Sequence, residues 1–309
     1  MKMKTVLCTS YGPPEVLRMG EGDRPFPKNK EVCVRIFATA VTASDCIIRA
    51  GFKLDFPYQI LGRLAIGVTA PRQPILGMVM AGEIESVGAD VSGFKTGDRV
   101  FGMGGFHFGC YAEFVCWPED AVLGAMPANL SCEEAAAIPY GGLLAEHFLT
   151  KAAVQAGQQV LIYGASGAVG TSAVQLASRT GAEVTFVCGP SNLELVRSLG
   201  ASAVIDYTSE NFADRKERYD VIFDAVGKRK SRVAMDQSAK ALAPGGKRIS
   251  VDEGMPRLRR QWLLDLRQLC ESGALQPVID RCYRLEQIVE AHRYVDQGHK
   301  RGNVVVTVS

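Results

Sequence analysis

The sequence predicts an α/β protein of two domains, one β-rich and the other a doubly wound parallel sheet. Three observations predict it. The chain has 309 residues, about twice the usual domain size, and 47% of them are hydrophobic, enough for two cores. Near residue 122 short strand-like runs give way to alternating strands and helices. Between an apolar run and an alanine-rich amphipathic segment lies Tyr163-Gly-Ala-Ser-Gly-Ala-Val-Gly170, where a strand-to-helix turn belongs.

Each element follows from local pattern. Up to about residue 120, β-rich runs such as 31–37 and 82–87 are cut at close intervals by Gly, Pro and Asp, which reads as a small irregular barrel or sandwich. Beyond it, strand 160–163 leads to helix 169–180, strand 183–188 to helix 193–199, and strands follow at 203–207, 219–224 and 247–251. Ser191 and Glu194 have the spacing of a capping box, and Gly200 stands where a glycine closes a helix. After about Pro277 come a helix at 285–297 and a last strand from Asn303.

Composition removes several function classes. A net charge of +2 is near neutral, and the basic clusters 228–230 and 257–260 are short and lack interleaved aromatics, so no nucleic-acid partner is expected. The apolar patch 58–70 is broken by Gly62, Arg63 and Gly67 and falls short of the roughly 20 residues of a membrane span. The N-terminal MKMKTVLCTSYGPPEV has too few apolar residues for a signal peptide, so a cytoplasmic protein is expected. Nine scattered cysteines in mostly apolar runs read as buried thiols rather than a disulfide framework.

A dinucleotide-binding turn uses glycines for a tight bend, for close approach of the pyrophosphate, and for packing helix against strand. In G-x-G-x-x-G register the positions are Ala165, Gly167 and Gly170, with Gly164 ahead of the substituted one. The middle position, which must admit phosphate onto the helix N-terminus, is intact. At the end of the second strand, where an acid would bind the ribose of NADH, the chain reads Phe186-Val-Cys-Gly-Pro-Ser-Asn192 and has none. Gly189 leaves room for a 2′-phosphate, and Ser191, Asn192 and Tyr207 offer donors, so NADPH is expected over NADH.

Blocks spread nearly end to end resemble the zinc-free branch of the medium-chain dehydrogenase/reductase superfamily, the quinone oxidoreductases related to zeta-crystallin. They include Val41-Thr-Ala-Ser-Asp-Cys-Ile-Ile-Arg49, Gly77-Met-Val-Met-Ala-Gly82, Phe94-Lys-Thr-Gly-Asp-Arg-Val100, Ala135-Ala-Ala-Ile-Pro139, the glycine turn, Phe223-Asp-Ala-Val-Gly227 and Gly302-Asn303. The resemblance implies a GroES-like catalytic domain of residues 1–122 and 277–309, a Rossmann domain of residues 123–276, and a homodimer. It assigns the pyrophosphate to Ala165, Ser166, Gly167, Ala168 and Val169, and the adenosine end to Gly189, Ser191, Asn192 and Tyr207. Val226, Ser250 and Asn303 fall near the nicotinamide, although Val226 and Ser250 also read as plain strand ends.

Where zinc-dependent members of that superfamily hold their metal, the matching positions are Ser44, Gly77-Met-Val79 and Ile138-Pro-Tyr140, so no zinc is expected. His107 and Cys110 are a pair, too few for a tetrahedral site. Without a Lewis acid, reduction favours acceptors that are already electron-poor, which points to small hydrophobic quinones and α,β-unsaturated carbonyls. Ser44 reads either as a substrate or ribose contact or as the N-cap of the helix through Ile47 and Ile48; Tyr140 reads as a proton donor or a packed cleft tyrosine, and Asp45 as structural. The segment 52–74, with Phe56 and Tyr58, reads as an apolar lid over the acceptor or as dimer packing. Two rivals stand beside the quinone or enone reductase: a 2-enoyl thioester reductase, and a non-catalytic NADPH-binding redox sensor or structural protein.

Overall fold

The structure, a computed structural model, describes residues 1–52, 58–227 and 231–308, leaving aside the side chain of Met235. Strands β1 (Lys2–Cys8) and β2 (Leu17–Asp23) form an antiparallel ribbon. The β-branched run of β3 (Glu31–Val41) builds the central strand of the first domain, buried along most of its length. Its C-terminal end feeds α1 (Ala43–Arg49), which α2 (Tyr58–Ile66) follows. β4 (Val79–Val87) runs antiparallel to β3 and to β5 (Arg99–Met103). β6 (Phe114–Pro118) lies along β3, and β7 (Leu123–Ala125) along β5. Gly82 is required where β4 bulges against β3: a Cβ there would sit 2.0 Å from the Arg35 carbonyl oxygen.

Short α3 (Cys132–Ala136) starts with a Ser131–Glu134 capping box and leads to α4 (Pro139–Ala152), whose proline occupies the first turn, where its missing N–H costs nothing. The second domain then alternates β8 (Gln159–Tyr163), α5 (Ala168–Arg179), β9 (Glu183–Cys188), α6 (Leu193–Ser198), β10 (Ala203–Asp206), β11 (Tyr219–Asp224), α7 (Val233–Ala241), β12 (Leu242–Ser250) and α8 (Arg260–Glu271). Among the described residues its five strands are all parallel, in the order β10-β9-β8-β11-β12. The order reverses between β8 and β11, and the crevice beyond the strand ends there is where such sheets bind ligands.

The tail returns to the first domain. β13 (Ile279–Arg284), α9 (Ile288–Gln297) and β14 (Asn303–Thr307) complete its sheet, with β14 antiparallel to β3. No helix among the described residues is long and apolar enough to cross a membrane.

The α/β architecture is as the sequence predicts, and Gly200 closes α6 with φ +102°. Two local readings are corrected. Ser191 and Glu194 form no capping box: Pro190 fixes its own φ and starts a 3-10 turn at 190–192, so Ser191 lies inside the turn and Asn192 precedes α6 without a side-chain cap bond. The last strand of the parallel sheet begins at Leu242, not 247, and runs through Pro244-Gly-Gly246. β12 is an edge strand, where a proline breaks no ladder on its free side.

Candidate active site

The glycine turn grows out of β8. Gly164 takes φ +82°, and a Cβ on it would lie 2.1 Å from Val226 Cγ2, so this residue, one before the expected position, makes the sharp bend. Ala165, fully buried, needs no glycine freedom. At Gly170 a Cβ would meet the Gly164 carbonyl oxygen at 2.3 Å, which is the close packing of helix on strand. Gly167 differs: a Cβ there would find only the Gly164 oxygen, at 3.7 Å, so its face is open. It is the N-cap of α5 and provides no side-chain cap, leaving the first-turn amides around Ala168 and Val169 for a ligand. An open cradle at a helix N-terminus fits a pyrophosphate.

The neighbouring strand ends supply the rest of the crevice. Gly189 follows β9, and a Cβ on it would approach the Tyr207 hydroxyl at 3.3 Å; Tyr207 itself is half exposed. Asn192 Oδ1 is buried with no hydrogen-bond partner, and Ser191 is exposed. Val226 and Ser250 are joined by a residue that sequence reasoning passed over. Asp224, buried at the end of β11, accepts from the Val226 and Gly227 amides at 3.0 Å and from Ser250 Oγ at 3.0 Å. Burial raises its pKa, and these three hydrogen bonds oppose the rise. Its place in the Phe223-Asp-Ala-Val-Gly227 block, ending a buried strand, was the available signal.

The tail closes one side of the turn. Gly302 N–H donates to the Ser166 oxygen at 2.6 Å, and Gly302 bridges Gly167 in parallel fashion. Asn303 follows, nearly buried, its Nδ2 donating to the Val278 oxygen at 3.2 Å.

Ser44 and Tyr140, 96 positions apart, meet with their hydroxyls 3.1 Å apart. Ser44 is not the N-cap of α1. Thr42 takes that role because Asp45, three residues on, completes the box: Oδ2 accepts from Thr42 N at 2.9 Å and Thr42 Oγ1 at 2.6 Å. The Ser44 hydroxyl is thereby left for Tyr140. Tyr140 sits in the first turn of α4, and the next residue packs on α5: a Cβ at Gly141 would lie 2.2 Å from the Ala168 oxygen. Burial pushes the Tyr140 hydroxyl up to about 12, against the hydrogen bond from Ser44.

Behind α1 lies a buried polar group that the sequence did not reveal. Asp45 is fully buried and raised to about 6, chiefly by desolvation; its Oδ1 makes no hydrogen bond of normal geometry, though the Tyr111 hydroxyl and Gly77 amide face it. His292 Nε2 lies 3.1 Å from the Tyr111 hydroxyl, and Nδ1 lies 3.5 Å from Cys46 Sγ. Burial lowers His292 to about 3. Arg49, 2% exposed, pairs with Asp296 at 2.6 Å, so α1 is fastened to α9 of the tail.

Of the segment 52–74, Phe56 lies outside the described residues. Tyr58, Ile60, Leu61 and Leu64 of α2 are each more than half exposed. His107 and Cys110 gain no third ligand: among the described residues no three His, Cys, Asp or Glu side chains gather as a metal site would need.

Comparison with known proteins agrees with the fold. Residues 28–128 match the family described as "Alcohol dehydrogenase GroES-like domain", and residues 199–306 the family described as "Zinc-binding dehydrogenase". The chain is 32% identical to "2-methylene-furan-3-one reductase" of Solanum lycopersicum, over 99% of this chain and 79% of the relative. It is 30% identical to "NADPH-dependent alkenal/one oxidoreductase, chloroplastic" of Arabidopsis thaliana, with the same coverage. The quinone oxidoreductase structure from Coxiella burnetii superposes with a TM-score of 0.85 at 26% identity, covering 100% of both chains. The chain therefore belongs to the medium-chain dehydrogenase/reductase superfamily, among the quinone and alkenal oxidoreductases.

Proposed function

We propose that this protein is an NADPH-dependent, metal-independent reductase of small hydrophobic quinones or α,β-unsaturated carbonyl compounds. The observation that carries the reading is the Ser44–Tyr140 hydroxyl pair, held through Gly141 against the first turn of the helix whose N-terminus is the phosphate cradle.

NADPH, when bound, supplies the hydride that turns such an acceptor into an enolate or hydroquinone anion. The open cradle from Ala165 to Val169 suits its pyrophosphate. Gly189, Ser191, Asn192 and Tyr207 suit the adenosine end, where the absence of an acid from the segment Phe186 to Asn192 supports the phosphorylated cofactor. Val226, Ser250 and Asn303 flank the nicotinamide half, the first two set by Asp224. Tyr140 keeps its proton at neutral pH and donates a hydrogen bond to the developing oxyanion, with Ser44 fixing the direction of its hydroxyl. The final proton comes from solvent through the two hydroxyls.

The donor set does not fit zinc. Ser44, Gly77-Met-Val79 and Ile138-Pro-Tyr140 stand at the positions the resemblance compares with ligands, and zinc requires several N, S or carboxylate donors together. Electron-poor acceptors need less electrophilic assistance than simple ketones. The exposed apolar side chains of α2, Tyr58 among them, serve as a lid over the acceptor. Six of the nine free cysteines are buried, which supports a reducing, cytoplasmic location, and the family resemblance supports a homodimer.

Oxidation of NADPH by the chelator-treated protein, measured with quinones, enones and enoyl thioesters, tests the reading. Turnover is expected with the first two classes and with NADPH above NADH. Tight NADPH binding with no active acceptor would replace the enzyme by a binding protein, and a preference for enoyl thioesters would move the substrate class.

A further inference from the structure

Cys33 on β3 and Cys116 on β6 stand directly opposite each other across an antiparallel pair. The backbone shows which kind of pair this is. Ile36 N donates to the Glu113 oxygen at 2.8 Å and Glu119 N to the Lys30 oxygen at 3.0 Å, both in the same register. Hydrogen-bonded and non-hydrogen-bonded pairs alternate along such a ladder, so 30/119, 32/117, 34/115 and 36/113 are the hydrogen-bonded ones. Cys33 and Cys116 are a non-hydrogen-bonded pair, in which facing Cα atoms lie about 4.5 Å apart and side chains come closest. A disulfide accepts Cα separations of about 4.4–6.8 Å.

The surroundings prepare the pair for exchange. Cys33 is buried and Cys116 half-buried, so Cys116 is the more exposed of the two residues. Cys33 Sγ lies 3.8 Å from the Pro25 oxygen, which brings the 24–25 segment over the pair. Arg24 holds its guanidinium 4.1 Å over the ring of Phe114, two residues from Cys116 and on the same face of β6, and pairs with Glu85 at 2.7 Å. The Cys116 thiol, by hydrogen bonding, and then the Arg24 charge hold Cys33 below the usual thiol range, while Cys116 is raised. The groups facing the pair are Arg24, Ser86, Glu85 and Glu31.

We propose that Cys33 and Cys116 form an oxidisable dithiol, a modification site at which a low-molecular-weight disulfide converts the two thiols into a cross-strand disulfide. Cys116, the more exposed of the two residues, gives up its proton, and its thiolate attacks one sulfur of the oxidant. The oxidant's S–S bond breaks, and its other half leaves as a thiolate that takes up a proton. Cys33 loses its proton and attacks the Cys116 sulfur of the mixed disulfide, expelling the second thiol. Two protein thiols are oxidised by two electrons, and one small disulfide is reduced to two thiols. Transient oxidation of this kind is compatible with a reducing compartment.

Oxidised glutathione added to the folded protein, followed by intact mass and peptide mapping, tests this. The wild type is expected to lose two hydrogens and to yield one peptide pair joined through Cys33 and Cys116. Cys33→Ala should stop at the first step and keep glutathione on Cys116, and Cys116→Ser should show neither the link nor an adduct at Cys33. Wild-type protein that retains glutathione on Cys116, that links either cysteine to a different partner, or that leaves both thiols free would overturn the proposal.

Discussion

The two halves of the proposed active site are made by different means. The cofactor half consists of backbone: left-handed Gly164, open Gly167, close-packed Gly170 and the amides of one helix turn, all within a seven-residue stretch. The acceptor half consists of side chains from distant parts of the chain, with Ser44 set against Tyr140 and α1 backed by Tyr111, His292 and Asp296. A backbone site tolerates most exchanges except those that add a Cβ in the wrong place. A side-chain site fails when one polar atom is removed, while the fold around it survives.

Gly164→Val should have the largest effect. The φ of +82° and the 2.1 Å approach to Val226 leave no room for a branched side chain. NADPH affinity, measured by fluorescence titration, should fall on the order of 100-fold, equivalent to about 3 kcal/mol, with a comparable loss of stability. Wild-type affinity would show that the bend is not needed and would break the contrast.

His292→Gln probes the acceptor half through pH. The folded pKa of His292 is lowered to about 3, so its stabilisation is complete above the ordinary 6.5 and is lost as pH falls from there toward 3. Asp45, raised to about 6, has the opposite sign: its contribution is complete below 3.8 and is lost as pH rises through 6. The stability advantage of wild type over His292→Gln should therefore shrink by up to about 3 kcal/mol between pH 6.5 and 4. Denaturant unfolding at the two pH values measures it, and a constant difference would mean that His292 is not buried neutral.

A third contrast is smaller. Thr42→Ala, which removes the cap of α1, should cost about 1 kcal/mol, whereas Ser191→Ala should change stability by less than about 0.5 kcal/mol because Ser191 caps nothing. Thermal melts of both decide this, and equal losses would restore the Ser191 cap.

The same division explains what the sequence revealed. The alternating strands and helices and the glycine turn depend on neighbours in the chain, so pattern and spacing expose them; even the absent first glycine resolves locally, one residue earlier at Gly164. Ser44 and Tyr140 were each readable as candidates, but their meeting depends on α4 crossing α5 at Gly141, which no local pattern encodes. Thr42 and Asp45 carry a T-x-x-D capping pattern, but Ser44 offers the same chemistry two residues later, so the sequence leaves the cap ambiguous. Pro190 overrode the Ser191–Glu194 spacing. Asp224 ends a strand and His292 lies in a helix, and their burial and partners belong to the folded chain alone.

Tyr140→Phe tests the central claim most directly, because it removes one hydroxyl from the acceptor half and leaves the cofactor half intact. With a quinone or enone at saturation, kcat should fall on the order of 10²-fold, while KM for NADPH stays within about twofold. An unchanged kcat, or a loss that appears in NADPH binding instead, would contradict the account.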